Sequence, residues 1–324
     1  MPAPPTPEFW ARRGFLSSLL QPLAWSYAAG AAARQRWTRP ERLPLPVVCV
    51  GNAVAGGAGK TPVVLSLAAR LRRRGRSVHI LSRGYGGSVA GPLRVDPARH
   101  GAAEIGDEPL LLAEMAPTWV ARDRVAGGRA ALADGAALLL LDDGFQNPRL
   151  VKDLSLLVID GSYGFGNGRI LPAGPLREAL AAGLVRADAA VLMGEDRAGI
   201  AARLRGKPLL RARLVPDAAE RFAGKPVIAF AGIGRPAKFF DTLEGTGAHI
   251  VARHGFADHH RYGEAELSRL AAEADASGAA LVTTAKDAAR LQPGWRARID
   301  VLKVAVLWEN EAMLDRLLER VASG

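Results

Sequence analysis

The chain has 324 residues, 49% hydrophobic and 23% charged, the balance of a globular protein with room for two domains. Its formal charge of +11 calls for acidic partners; with aromatics at 6% and none interleaved with basic runs, nucleic acid is disfavoured against anionic lipid or a phosphorylated substrate. The single cysteine, Cys49, excludes an internal disulfide or a cysteine-based metal cluster, and its place in an apolar run reads as core.

Residues 14–33 carry no charge and are flanked by Arg12, Arg13, Arg34 and Arg36. Three readings compete. A helix lying on an anionic bilayer through Phe15, Leu16, Leu19, Leu20, Leu23 and Trp25 comes first. An ordinary packed helix comes second and a cleaved signal last. Ser17, Ser18, Gln21, Pro22 and Ser26 weaken it as a membrane span.

The next stretch, Pro46 to Val64, is an apolar run, a glycine-rich turn and an apolar-periodic segment. That is the order of strand, phosphate loop and helix N-terminus. The loop Val54-Ala55-Gly56-Gly57-Ala58-Gly59-Lys60-Thr61 offers backbone N–H groups to a nucleotide, ATP. Lys60 reaches the β/γ-phosphates and Thr61 takes Mg²⁺. One departure from the usual pattern is Val54, where the first glycine normally stands. A partition-type ATPase, the main rival, carries a signature lysine where this chain has Ala55.

Further apolar runs predict strands at 47–50, 78–81, 137–141, 156–159 and 190–193. Helices are predicted at 62–74, 108–115, 124–133 and 176–184. The alternation implies an α/β fold: a P-loop NTPase-type, mostly parallel sheet with helices on both faces. Chemistry is then expected in the loops after each strand. Those loops read Ser82-Arg83-Gly84-Tyr85, Asp142-Asp143-Gly144-Phe145-Gln146 and Leu171 to Glu178. Asp142, closing a leucine run, fits the acidic residue that holds Mg²⁺, with Asp143 a weaker candidate. Asp107 and Glu108 open a helix, and spacing alone leaves their role open.

From about residue 208 the pattern restarts as a smaller α/β domain. Residues 209–215 are expected to pair with 301–307 as a two-stranded link, and 313–321 to form an amphipathic end helix. The divisions are 1–45, 46–206, 207–308 and 309–324. Three of six histidines, His254, His259 and His260, fall within ten residues. Adjacent His259 and His260 cannot share one site in regular structure, so one of them suits proton transfer better than a metal cage.

GNAVAGGAGKTP, SRGYGG, GDEP, LDDGFQN, LPAGPLRE, FADHHRY and TTAKDAARL stand in the order seen in the tetraacyldisaccharide 4'-kinases of lipid A synthesis. The chain resembles that family over nearly its whole length. Asn147, where the family usually has His, and Ala257, where it has Pro or Ser, depart from it. The resemblance implies ATP- and Mg²⁺-dependent phosphorylation of the 4'-hydroxyl of an acylated glucosamine disaccharide 1-phosphate, giving a bis-phosphorylated lipid. It places the chain at the cytoplasmic face of the inner membrane, peripheral or monotopic, with no nucleic acid and no obligate protein partner. It implies Asp107 and His259 as the pair that activates the hydroxyl. Asp142 and Asp143 become the acidic metal pair, assisted by Glu108. Gln146 is implied at the nucleotide, and Tyr85, Arg124 and Glu178 at the substrate.

Overall fold

The computed structural model describes residues 7–204 and 206–322. Thirteen strands are described: β1 (Val47–Gly51), β2 (Val78–Ser82), β3 (Leu93–Arg94), β4 (Thr118–Val120), β5 (Leu138–Asp142), β6 (Leu154–Asp160), β7 (Ala189–Met193), β8 (Leu209–Pro216), β9 (Pro226–Ala231), β10 (His249–Gly255), β11 (Ala280–Thr284), β12 (Asp300–Leu302) and β13 (Val304–Trp308). Nine form one sheet in the order β13-β8-β7-β6-β1-β5-β2-β4-β3, and four form a second, β10-β9-β11-β12. All neighbours are parallel except the outermost pairs β8/β13 and β3/β4 of the larger sheet.

β1, β2, β5, β6 and β7 are buried at every residue. That is why they read as unbroken apolar runs: parallel strands have helices on both faces. One face packs under the helix Lys60–Arg73 and the terminal helix Glu311–Ala322, which inserts Leu314, Leu317 and Leu318. Arg70 ties the two helices together through Asp315 and Glu311. The other face packs Val125, Phe145, Phe165, Leu176 and Ile200. β1 lies between β5 and β6, so strand order reverses beside it and a crevice opens at its carboxyl end.

Two expectations are corrected. The predicted helix over 176–184 begins only at Leu180. Residues before it are committed to the phosphate loop: Ala55 N donates to Pro175 O, Arg177 N donates to Ala53 O, and Leu176 bridges Val54. The run 301–307 is divided between sheets. Asp300–Leu302 joins β11 in the smaller one, and Val304–Trp308 runs antiparallel to β8. β8 is itself paired to β7, so the expected link is the edge of the larger sheet.

At the other end, the helices Phe15–Leu19 and Gln21–Trp37 lie against the body through Ser17 and Ala24. Phe15 is 85% exposed, and Leu19, Leu23, Trp25 and Trp37 are also exposed. No helix among the described residues is long and apolar enough to cross a membrane. Trp10, Arg13 and Ser17 anchor the segment to Pro172, Asn167 and Arg169, next to the stretch that supports the phosphate loop.

Candidate active site

The phosphate loop leaves the end of β1 and runs into the helix Lys60–Arg73. Gly56 and Gly59 have φ of +118° and +87°, conformations a side chain would resist. The Asn52 amide donates to Gly56 O and pins the turn. Val54, standing where the first glycine is usual, is buried and bridges Leu176. Ala58 is likewise core. The helix N-terminus at Gly59-Lys60-Thr61 carries the positive end of the helix dipole.

Asp142 is the last residue of β5, paired to Val50 of β1. Ser82 Oγ donates to its Oδ2 at 3.2 Å, while buried Oδ1 has no partner. Burial, then the nearby charges of Glu108 and Asp143, push its carboxyl up to about 7. Asp143 has φ +51° and accepts from Arg177 at 3.0 and 3.1 Å, with Lys60 Nζ 3.6 Å away. Burial would raise its carboxyl, but Lys60 and Arg177 outweigh burial and hold it below the ordinary range.

Among the described residues no three His, Cys, Asp or Glu side chains form a ready metal cage. The expected set Thr61, Asp142, Asp143 and Glu108 is not assembled as one, because Asp143 is committed to cations and Glu108 Oε1 accepts from Lys286 at 3.1 Å. Asp142 Oδ1 nonetheless fits a divalent cation: a hard, buried carboxylate oxygen without a hydrogen bond. Magnesium takes few protein ligands and completes its shell with phosphates and water.

The second cluster is built across the two sheets. Asp107 opens the helix Asp107–Met115 behind Gly106, whose φ of +88° and lack of Cβ let the chain pass against Tyr85 O. Its buried carboxylate Oδ2 meets His259 Nδ1 at 3.1 Å, Arg290 Nε at 3.4 Å and Lys286 Nζ at 3.9 Å. Burial alone would raise Asp107; the His259 hydrogen bond and the charges of Lys286 and Arg290 bring it down to about 2. His259 takes φ +60°, an uncommon conformation for a non-glycine residue, with its N–H donated to Gly232 O. That twist separates the adjacent rings. His259 faces Asp107, while His260 stacks on Phe256 and holds Glu266 at 2.7 Å. Tyr85, largely exposed, leans its ring on His259 with centroids 5.8 Å apart.

The remaining expected residues are placed differently. Arg124 is buried with its Nε unpartnered, and burial lowers its guanidinium's pKa despite the nearby charges of Asp142 and Asp143. Gln146 donates to Asn52 O at 2.9 Å and Glu178 Oε1 at 3.2 Å, and Glu178 is also held by Arg186. Gln146 O accepts from Arg34 and Gln35 of the N-terminal helix. The Gln146 and Glu178 side chains therefore brace the β1 end, and the Gln146 main chain ties in that helix. Sequence reasoning assigned no role to Arg177, Lys286 or Arg290. Their signal was membership of the motifs LPAGPLRE and TTAKDAARL, which carry Arg177 and Lys286 with Arg290.

A family model described as tetraacyldisaccharide-1-P 4'-kinase matches residues 16–322. The tetraacyldisaccharide 4'-kinase of Rhodospirillum centenum is 58% identical, over 98% of this chain and 97% of its own. That of Rhodospirillum rubrum is 54% identical over 98% of each. Among solved structures, LpxK from Aquifex aeolicus in complex with ATP is 30% identical with a TM-score of 0.77, over 95% of this chain and 99% of its own.

Proposed function

The chain belongs to the tetraacyldisaccharide-1-P 4'-kinase family, and from that membership we propose how its residues divide the work. The protein is an ATP-dependent phosphotransferase that phosphorylates the 4'-hydroxyl of a tetraacyl disaccharide 1-phosphate. The phosphate loop, 54–61, cradles the triphosphate through backbone N–H groups, with Lys60 on the β/γ-phosphates. Thr61 and Asp142 hold the Mg²⁺, which when bound neutralises phosphate charge. Asp143 holds Lys60 and Arg177 in place beside the phosphates.

The observation that carries the reading is the Asp107–His259 pair, 3.1 Å apart beside the acidic end of β5. As the sugar hydroxyl attacks, its proton passes to this pair. The Asp107 carboxylate, held well below the ordinary range by His259, Lys286 and Arg290, faces the imidazole and orients it for that transfer. Tyr85 borders the same space. The smaller sheet supplies His259 and covers the nucleotide end of the larger one, limiting loss of the phosphoryl group to water.

The acceptor is an anionic lipid, and the helices Phe15–Leu19 and Gln21–Trp37 suit it. Exposed Phe15, Leu19, Leu23 and Trp25 stand between Arg12/Arg13 and Arg34/Arg36, the arrangement of a segment resting on an anionic surface. The site faces the cytoplasmic side of the inner membrane, where ATP is present. With ATP, Mg²⁺ and the acylated disaccharide 1-phosphate, the purified protein transfers labelled γ-phosphate to the lipid. Lys60→Ala abolishes the transfer. ATP turnover that leaves the lipid unlabelled overturns the assignment. Phe15→Glu with Trp25→Glu releases the protein from anionic vesicles; unchanged co-flotation would make the segment purely structural.

A further inference from the structure

We propose that Arg290 is the positioning residue of the Asp107–His259 pair, an inference that rests on the kinase reading above. Asp107 and His259 belong to different sheets' loops, so their 3.1 Å separation depends on how those loops are fixed to each other. Arg290 is placed to fix them. Its side chain is only 5% exposed and directs its three nitrogens in three ways. Nε, donated to Lys286 O at 3.2 Å, lies 3.4 Å from Asp107 Oδ2. Nη1 donates to His260 O at 2.8 Å, and Nη2 to Gly232 O at 3.0 Å.

Those two carbonyls bracket His259. Gly232 O also accepts the His259 N–H at 3.0 Å, so one oxygen joins Arg290 directly to the histidine's backbone. The guanidinium thus spans from the Asp107 carboxylate to the main chain on both sides of His259. It is held from behind by Asp287, fully buried, which lies 3.1 Å from Nη2 and accepts from Gly232 N at 2.9 Å and Tyr262 OH at 2.7 Å. The fork suits a guanidinium: a lysine ammonium has the charge but cannot reach three differently oriented oxygens. His259 sits at positive φ, a conformation that persists only where its surroundings impose it. The two carbonyls gripped by Arg290 are those surroundings.

Arg290 makes no contact with the phosphate loop, so its loss should act on the Asp107–His259 pair, through its geometry and the charge beside Asp107, and not on ATP binding. In the full-length chain, Arg290→Gln lowers kcat about 100-fold, the cost of roughly 1 Å of misplacement, and leaves KM for ATP within about twofold. Arg290→Lys recovers about tenfold of that loss. On a His259→Ala background either substitution adds less than about twofold, because residues that act as a unit are not additive. Wild-type kcat in Arg290→Gln, or a loss that multiplies fully with His259→Ala, overturns the proposal. So does a loss confined to KM for ATP. Should Arg290→Gln not fold, Arg290→Lys carries the same comparison: reduced kcat that vanishes on the His259→Ala background supports it, and wild-type or additive behaviour overturns it. Failure of the wild-type protein to label the lipid is a separate result, which would remove the kinase reading instead.

Discussion

Among the contacts between the smaller sheet's elements and the larger's, those at the carboxylates Asp107 and Asp160 are built differently. Asp160 ends β6 and accepts from Arg235 at 2.8 Å and Lys238 at 2.7 Å, both solvent-accessible side chains from the loop and helix after β9. Its other oxygen takes the Ser162 hydroxyl and N–H. Every partner there is a charge or donor that holds and releases nothing. At Asp107 the partners are a histidine in a strained conformation, an exposed tyrosine against it, and a buried arginine fixed by backbone carbonyls. One contact is a fastening. The other keeps a proton acceptor exposed to the cleft, at a cost in backbone strain of about 1–3 kcal/mol.

Substitutions separate the two. Asp107→Ala should cut kcat about 10²–10⁴-fold while ATP binding barely changes. His259→Ala should cost a similar factor, and the double variant little more, as expected of a unit. Unchanged turnover in Asp107→Ala would remove it from proton transfer and erase the contrast. Tyr85→Ala, which takes away a neighbour of His259 but no polar link, should cost about tenfold in kcat; an effect as large as that of His259→Ala would make Tyr85 a partner in the chemistry.

Asp160→Asn should leave kcat within about threefold and instead lower stability by about 1–2 kcal/mol, as loss of a charged hydrogen-bonded pair does. The sign with pH follows from its ionisation. Burial would raise the Asp160 carboxyl, but Lys238, Ser162 and Arg235 hold it below the ordinary value. Its contribution is therefore present above the ordinary carboxylate range and lost as pH falls through that range toward its own pKa. Thermal unfolding should show wild type and Asp160→Asn converging in acid. A difference that persists there would mean the aspartate acts by shape rather than charge.

Much of the larger sheet was legible because parallel strands buried on both faces cannot hide their apolar runs. The predicted helix 124–133 matches the observed Arg124–Ala133, whose N-cap Asp123 accepts from Val125 and Ala126 N–H. The phosphate loop was legible because its chemistry is local to one turn. What failed was set by partners distant in sequence. Leu176 to Ala179 has helical composition, but its backbone is claimed by Ala53 and Val54. The run 301–307 reads as one strand interrupted only by Lys303, and the two sheets competing for it divide it there. Two adjacent histidines are chemically equal on paper; the positive φ at His259 assigns one to the cleft and the other to the aromatic cluster of Phe256 and Tyr262. Arg290 lies 183 positions from Asp107, and no spacing rule connects them.

The antiparallel pair at the sheet's edge has one more consequence. Pro216 leaves the larger sheet exactly opposite where Val304 re-enters it, and paired residues of such strands lie about 4.5–5.5 Å apart. To the larger sheet, everything between them is the loop of a hairpin. The chain that carries His259 and Arg290 is thus a cartridge. It could be lifted out and the gap closed by a tight turn without reordering a strand beneath it, and a different insert at the same two residues would present different groups to the same phosphates.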